Sequence, residues 1–137
     1  MDPAMTLAAF VPPAVVTLAI AVLLFGCALR VGRMRMRHGI DAPATTGHPD
    51  LEIALRVQMN TLENAVLVLP PLWLASAYLG PRAAALAGAA WIAARVWYAI
   101  AYSADPRRRG GGFVAALLAW VALMAMAAWG IAGAALA

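Results

Sequence analysis

The sequence predicts an all-α integral membrane protein built as a bundle of four transmembrane helices. Three observations predict it. Apolar residues make up 65% of the 137 residues and the mean hydropathy is +0.83, against roughly 45–50% apolar residues in ordinary soluble domains. The apolar stretches run to about 20 residues, the length that crosses a hydrocarbon core of about 30 Å. The breaks between them are short and hold Gly, Pro and Arg. A chain of this length reads as a single membrane domain over residues 1–137.

The first helix is predicted over about residues 10–37. Its apolar run extends from Phe10 to Leu29, with Pro12 and Pro13 in the first turn, where a missing N–H costs little. Arg30, Arg33, Arg35 and Arg37 follow, alternating in part with Met34 and Met36. Their position directly after a membrane helix favours continued helix over a strand. The stretch from Gly39 to Pro49 is a loop, broken at Pro43 and Pro49. Asp50 is the expected N-cap of the second helix, with Glu52 in its first turn.

That second helix is predicted over residues 51–78. It is polar at its start and apolar from Ala65, and Pro70-Pro71 should bend it. Gly80-Pro81 makes a turn into the third helix, residues 82–102, which is Ala-rich and buries Arg95. Ser103 to Gly112 is expected to be a second polar loop containing Asp105-Pro106 and Arg107, Arg108 and Arg109. The fourth helix covers residues 113–136. Runs such as Ala83-Ala84-Ala85 and Gly130-Ile131-Ala132-Gly133 read as packing seams, because small residues let helices approach closely in lipid.

Charge placement orients the bundle. Four spans put both termini on one side. Seven arginines (30, 33, 35, 37, 107, 108 and 109) then share the other side, facing a turn that carries only Arg82. The positive-inside rule puts the Arg-rich loops in the cytoplasm of an inner (cell) membrane protein. The formal charge of +4 and pI of about 10.2 therefore indicate topology, and no nucleic-acid partner is expected. A single cysteine, Cys27, supports neither a disulfide within the chain nor a zinc site. It reads as a small buried side chain, and no metal is expected.

The stretch Leu55 to Leu69 stands out because it carries Arg56, Gln58, Asn60, Glu63 and Asn64 in an apolar context. A charge near a helix centre costs roughly 2.5–3.5 kcal/mol even on lenient insertion scales. At about 100° per residue, Arg56, Asn60 and Glu63 share an arc of about 60°, and Gln58 points nearly opposite. On the third helix Arg95, Tyr98 and Tyr102 share a similar arc. Glu63 and Arg95 lie at comparable depths, about 20 Å and 15 Å from the cytoplasmic end at 1.5 Å per residue. The two can thus meet in one bundle, and Arg56 can reach Glu63 on its own helix. A register-fixing ion pair would explain Glu63 with Arg95. It leaves Arg56, Asn60, Tyr98, Tyr102 and the loop arginines unexplained, and these suit an anionic polar ligand entering from the cytoplasm.

These residues resemble a known family. The string Arg56-Val-Gln-Met-Asn60-Thr-Leu-Glu63, preceded by Thr45-Thr46-Gly47-His-Pro49-Asp50-Leu-Glu52, is similar to the signature of the MAPEG proteins, the membrane-associated proteins of eicosanoid and glutathione metabolism. The likeness extends to Val31-Gly32-Arg33-Met-Arg35 and to Ala94-Arg95-Val-Trp-Tyr98-Ala-Ile-Ala-Tyr102. It implies a homotrimer of four-helix subunits that binds glutathione as co-substrate at subunit interfaces. Carried over by position, Arg56, Asn60, Glu63, Tyr98 and Tyr102 match glutathione-binding positions. Arg35 and Gln58 match positions supplied by a neighbouring subunit, and Arg95 matches a buried arginine. The resemblance also implies an arginine shortly after Tyr102 that stabilises the glutathione thiolate: Arg109, or Arg107. The chain departs from the pattern at Asn64-Ala65-Val66, where relatives often carry an aromatic residue and then a proline.

The function implied is that of a glutathione-dependent transferase or peroxidase acting on lipophilic electrophiles, with membrane lipid and a lipophilic substrate as partners. Two other classes compete. A small four-helix multidrug exporter would centre on Glu63, although nearby arginines should repel a cationic drug. A non-catalytic membrane scaffold or lipid binder would use the Arg-rich loops for anionic headgroups.

Overall fold

The computed structural model describes residues 7–137. Four long helices carry almost all of them: α1 Val11–His38, α2 Pro49–Tyr78, α3 Pro81–Ala104 and α4 Gly110–Leu136, with a 3-10 turn at Pro106–Arg109. α1, α3 and the Pro106–Leu136 segment are each long and apolar enough to cross a membrane. α2 falls outside that criterion because its first half carries the charged residues of the Leu55–Leu69 stretch.

Each boundary has a local cause. α1 opens on its Pro pair and closes at Gly39, whose left-handed backbone (φ 63°) lets its N–H bond to the Arg35 carbonyl. α2 opens at Pro49, with His48 as N-cap: the His48 imidazole accepts the Asp50 N–H. The expected cap, Asp50, instead lies in the first turn. A proline at the first helical position is already shaped for the helix and lacks only an N–H that would go unpaired, so the helix starts two residues earlier than predicted.

The polar segment after α3 is also corrected. Ser103 and Ala104 complete α3, Asp105 caps the 3-10 turn by accepting the Arg107 N–H, and α4 begins at Gly110 rather than Phe113. Gly110-Gly111-Gly112 is thus helical despite its poor intrinsic propensity. Tertiary contact explains this: a Cβ placed on Gly112 would lie 2.5 Å from the Tyr98 backbone nitrogen. Only glycine lets α4 cross α3 so closely.

α2 runs unbroken through Pro70 and Pro71. Pro71 has no N–H for the Leu67 carbonyl four residues back. That carbonyl accepts the Trp120 indole N–H from α4 at 3.0 Å. The main core joins all four helices and is filled by Val16, Ile20, Val68, Leu72, Trp91 and Leu123 with several alanines. A second cluster, Cys27, Val57 and Tyr98, lies next to the polar residues discussed below.

Candidate functional site

The polar residues of α2 are sorted by helix direction. α2 buries Leu51, Ala54, Val57, Thr61, Ala65, Val68 and Leu72. Thr61 is inside, and Asn60 lies on the flank of this stripe, half-buried. Arg95 reaches both from α3. It is fully buried (0% exposed), and its Nη2 donates to Asn60 Oδ1 at 2.9 Å and Thr61 Oγ1 at 2.8 Å. Its guanidinium carbon lies 4.2 Å from the Tyr98 ring centroid. Its Nε and Nη1 are buried without a protein partner among the described residues.

Glu63 does not meet Arg95, contrary to the depth argument. Two positions past Thr61 turn the helix by about 200°, so Glu63 is exposed on the side away from the bundle. Arg56 is also exposed and forms no ion pair with Glu63 among the described residues. Depth was legible from residue counts, but direction depended on which stripe the core claims.

At the Arg-rich end, Asn60, Tyr98, Arg109, Gly110 and Phe113 line a cavity of about 220 Å³. Tyr98 and Tyr102 have ring centroids 5.7 Å apart. The Arg109 guanidinium carbon lies 5.6 Å from the Tyr102 ring. Tyr102 in turn lines a second cavity, of about 350 Å³, with Pro49, Glu52, Ile53, Arg56 and Pro106. A third, of about 370 Å³, holds Arg56 and Gln58 with Thr45, Thr46 and Glu52. Arg56 and Glu52 therefore line two neighbouring recesses along α2.

The remaining candidates lie elsewhere. Arg35 turns back on the loop after α1, donating to the carbonyls of Ala44 at 2.8 Å and Asp41 at 3.2 Å. Arg107 is exposed on the 3-10 turn and lines none of these three recesses. Asn64 donates to the Asn60 carbonyl at 2.8 Å, a contact along its own helix.

Several contributors were missed from sequence. Thr61 was detectable as part of the apolar stripe at spacings of three and four. Phe113 and Gly110 were assigned to a loop or its edge. Arg30 donates to the Ser103 hydroxyl across 73 positions, which ties α1 to the last turn of α3 beside Tyr102. No local pattern announces a pairing at that separation.

The geometry can be set beside known proteins. A sequence profile of the MAPEG family matches residues 13–129. The chain is 43% identical over 101 residues to an uncharacterized Synechocystis protein, covering 74% of each. It is 35% identical to leukotriene C4 synthase from Cavia porcellus, over 86% of this chain and 79% of that one. Against microsomal glutathione S-transferase 2 from Homo sapiens it is 33% identical, over 77% and 71% respectively. The match spans all four helices and the cavities at their Arg-rich end: the chain is a multi-pass integral membrane protein and belongs to the MAPEG family.

Proposed function

We propose that the chain is a glutathione-dependent transferase or peroxidase acting on lipophilic electrophiles at the membrane. The observation that carries this is the cavity shared by Asn60, Tyr98 and Arg109, joined through the Tyr98–Tyr102 ring pair to the recess of Arg56. An amide, two phenols and two guanidinium groups suit a ligand with carboxylates, peptide groups and a thiol. Arginine binds carboxylates with a rigid fork of donors, and Tyr and Asn complete the polar contacts. One of the relatives, a microsomal glutathione S-transferase, supports glutathione transfer by its name.

In this reading Arg56, Asn60, Tyr98 and Tyr102 hold glutathione and Arg109 faces its sulfur. A cation beside a thiol favours the thiolate, which is the nucleophile. In transfer, sulfur forms a bond to the electrophilic carbon and the leaving group departs with its electron pair. In peroxidation, two glutathione thiols reduce one hydroperoxide to the alcohol and water, leaving the disulfide. Arg109 is favoured over Arg107 because it lines the cavity.

The proposal includes assembly as a homotrimer. Gln58 and Glu63 lie outside the single-chain Asn60–Arg109 cavity, and Glu63 is exposed on a helix packed among membrane spans. A charge facing lipid is expensive, so a second copy of the chain is the natural cover for this face. α2 then crosses the bilayer as a fourth span, and Arg35 and Gln58 complete a neighbour's site. The Arg-rich ends of the helices face the cytoplasm, where glutathione is available.

The test is binding and turnover of the detergent-solubilised chain with glutathione and a lipophilic electrophile or lipid hydroperoxide. Millimolar glutathione should raise the Tm, and Arg56→Ala should remove that rise. No stabilisation, with no effect of Arg56→Ala, would sink the proposal.

A further inference from the structure

The junction of α1 and α2 gathers three donor side chains that the proposed chemistry does not use. His38 ends α1, His48 caps α2 and Asp50 lies in the first turn of α2. The two imidazole rings stack, with centroids 3.5 Å apart and an interplanar angle of 15°. His38 Nε2 is 3.2 Å from Asp50 Oδ2, and His48 Nδ1 is 3.8 Å from the same oxygen. One ligand atom from each of the three lies within 4.8 Å of the other two.

These separations suit a tetrahedral centre. Bonds of about 2.0–2.1 Å to nitrogen and oxygen give tetrahedral edges of roughly 3.3–3.4 Å. The His38–Asp50 separation of 3.2 Å lies close to that edge, and the His48–Asp50 separation of 3.8 Å is longer. Because the two imidazoles stack in near-parallel planes, one ring must turn for both nitrogen lone pairs to meet at one ion. His38 is mostly covered (16% exposed side chain), while His48 and Asp50 are open at 40% and 49%. One direction therefore faces solvent, where water can be the fourth ligand.

The loop that carries the donors is ordered by contacts outside the three of them. Gly39 closes α1 directly after His38. The Arg35 guanidinium gathers the Asp41 and Ala44 carbonyls, and the Gly47 N–H donates to Glu52 at 3.3 Å. A loop already folded this way loses little further freedom when its ligands converge.

We propose that His38, His48 and Asp50 bind a divalent transition-metal cation of the zinc class, clamping the end of α1 to the start of α2. Two imidazoles and one carboxylate suit zinc, cobalt, nickel or copper, whereas calcium and magnesium require mostly oxygen ligands. Binding has a local signature. The His48 Nδ1 lone pair accepts the Asp50 N–H at 3.2 Å, and the cation takes that same lone pair. The Asp50 amide is released when the ion binds. The site shares no residue with the glutathione-facing cavities, so either proposal can fail alone.

The experiment uses the full chain in detergent, with any purification tag removed and no thiol present. Zinc alone is titrated by calorimetry, and cobalt serves as a visible-absorption probe of coordination geometry. The expected result is one zinc per chain, tetrahedral cobalt bands, and faster hydrogen exchange at the Asp50 amide with zinc. Loss of an outer-shell partner alone costs about 10–100-fold in metal affinity, so His38→Gln and Asp50→Asn should each weaken binding at least about tenfold. His48→Asn is the decisive variant, because Asn retains helix-capping ability but lacks the imidazole. It should keep the metal-free Tm and lose zinc. Three results would overturn the proposal: zinc uptake no greater than a detergent blank, wild-type affinity in His48→Asn and His38→Gln, or variants that change only the metal-free Tm. The last would mean a hydrogen-bonded helix cap only.

Discussion

The indole nitrogen of Trp120 donates to the Leu67 carbonyl at 3.0 Å, and Leu67 lies four residues before Pro71. The bond that Pro71 cannot make within α2 is thus replaced by one between helices. In a bilayer an unpaired carbonyl has no water to turn to. The replacement therefore stabilises α2 internally and pins it to α4.

Trp120→Phe should lower stability by about 1–3 kcal/mol, the cost of leaving a polar group unpaired. Pro71→Ala restores an N–H to α2 and should reduce that loss. Thermal unfolding of the two single variants and the double variant measures the coupling. Additive losses would mean the indole contributes by packing alone.

The three consecutive glycines at the start of α4 should respond in graded fashion to alanine. A Cβ on Gly110 meets nothing within 4 Å, one on Gly111 lies 2.9 Å from the Trp97 ring, and one on Gly112 lies 2.5 Å from the Tyr98 nitrogen. Gly110→Ala should be neutral or stabilising by up to about 1 kcal/mol through helix propensity. Gly111→Ala should cost little, because Trp97 is half exposed (54%) and can swing aside. Gly112→Ala should cost about 1–3 kcal/mol or more by overpacking against backbone, and should weaken glutathione binding by moving Tyr98 from Arg109. Ranked Tm values and glutathione affinities check the order.

Thr61 and Asn60 share Arg95 as a partner but should separate in function. Thr61→Val keeps the shape and removes one bond to a charged group, for a loss of about 1.5–3 kcal/mol. It should leave glutathione affinity nearly unchanged, since Thr61 is buried and lines no recess at the Arg-rich end. Asn60→Ala should lower both stability and affinity. Calorimetry with glutathione beside thermal unfolding distinguishes the two.

Arg109→Ala should reduce thiolate formation by bound glutathione, read as loss of thiolate ultraviolet absorbance, and should reduce turnover in step. Arg107→Ala should change both by less than twofold, because a solvated charge outside the cavity contributes little. Equal effects of the two variants would remove Arg109 from its assigned role.

The helices were legible because apolar run length and proline placement encode them directly. Each predicted boundary falls within about three residues of the observed one. The stretch from Ser103 to Gly112 was misread because glycine and proline punctuate a chain only when no tertiary contact overrides them, and the Tyr98 backbone does so at Gly112. The His48 cap was missed because the usual capping residues favour Asp50, although Pro49 already marked the start. Asn60 and Tyr98, which line one cavity, stand out in the sequence because helical spacing places each with other polar side chains on its own helix face. The Asn60–Tyr98–Arg109 grouping needed the 3-10 turn, which no periodicity predicts. The expected Glu63–Arg95 pairing is absent because charge alone does not say which face of α2 the core will cover.

Arg95 is fully buried, and no acidic side chain pairs with it among the described residues. The interior behind Tyr98 therefore carries a positive charge offset only by neutral partners, the Asn60 and Thr61 oxygens and the Tyr98 ring. Mobile ions screen exposed charges such as Arg56 and Arg109 within about 8 Å at physiological ionic strength, but screen buried charge much less. The attraction of this end of the bundle for an anion accordingly has two components. Salt suppresses the one from the surface arginines, while the one from Arg95 persists and repels a cation under all such conditions.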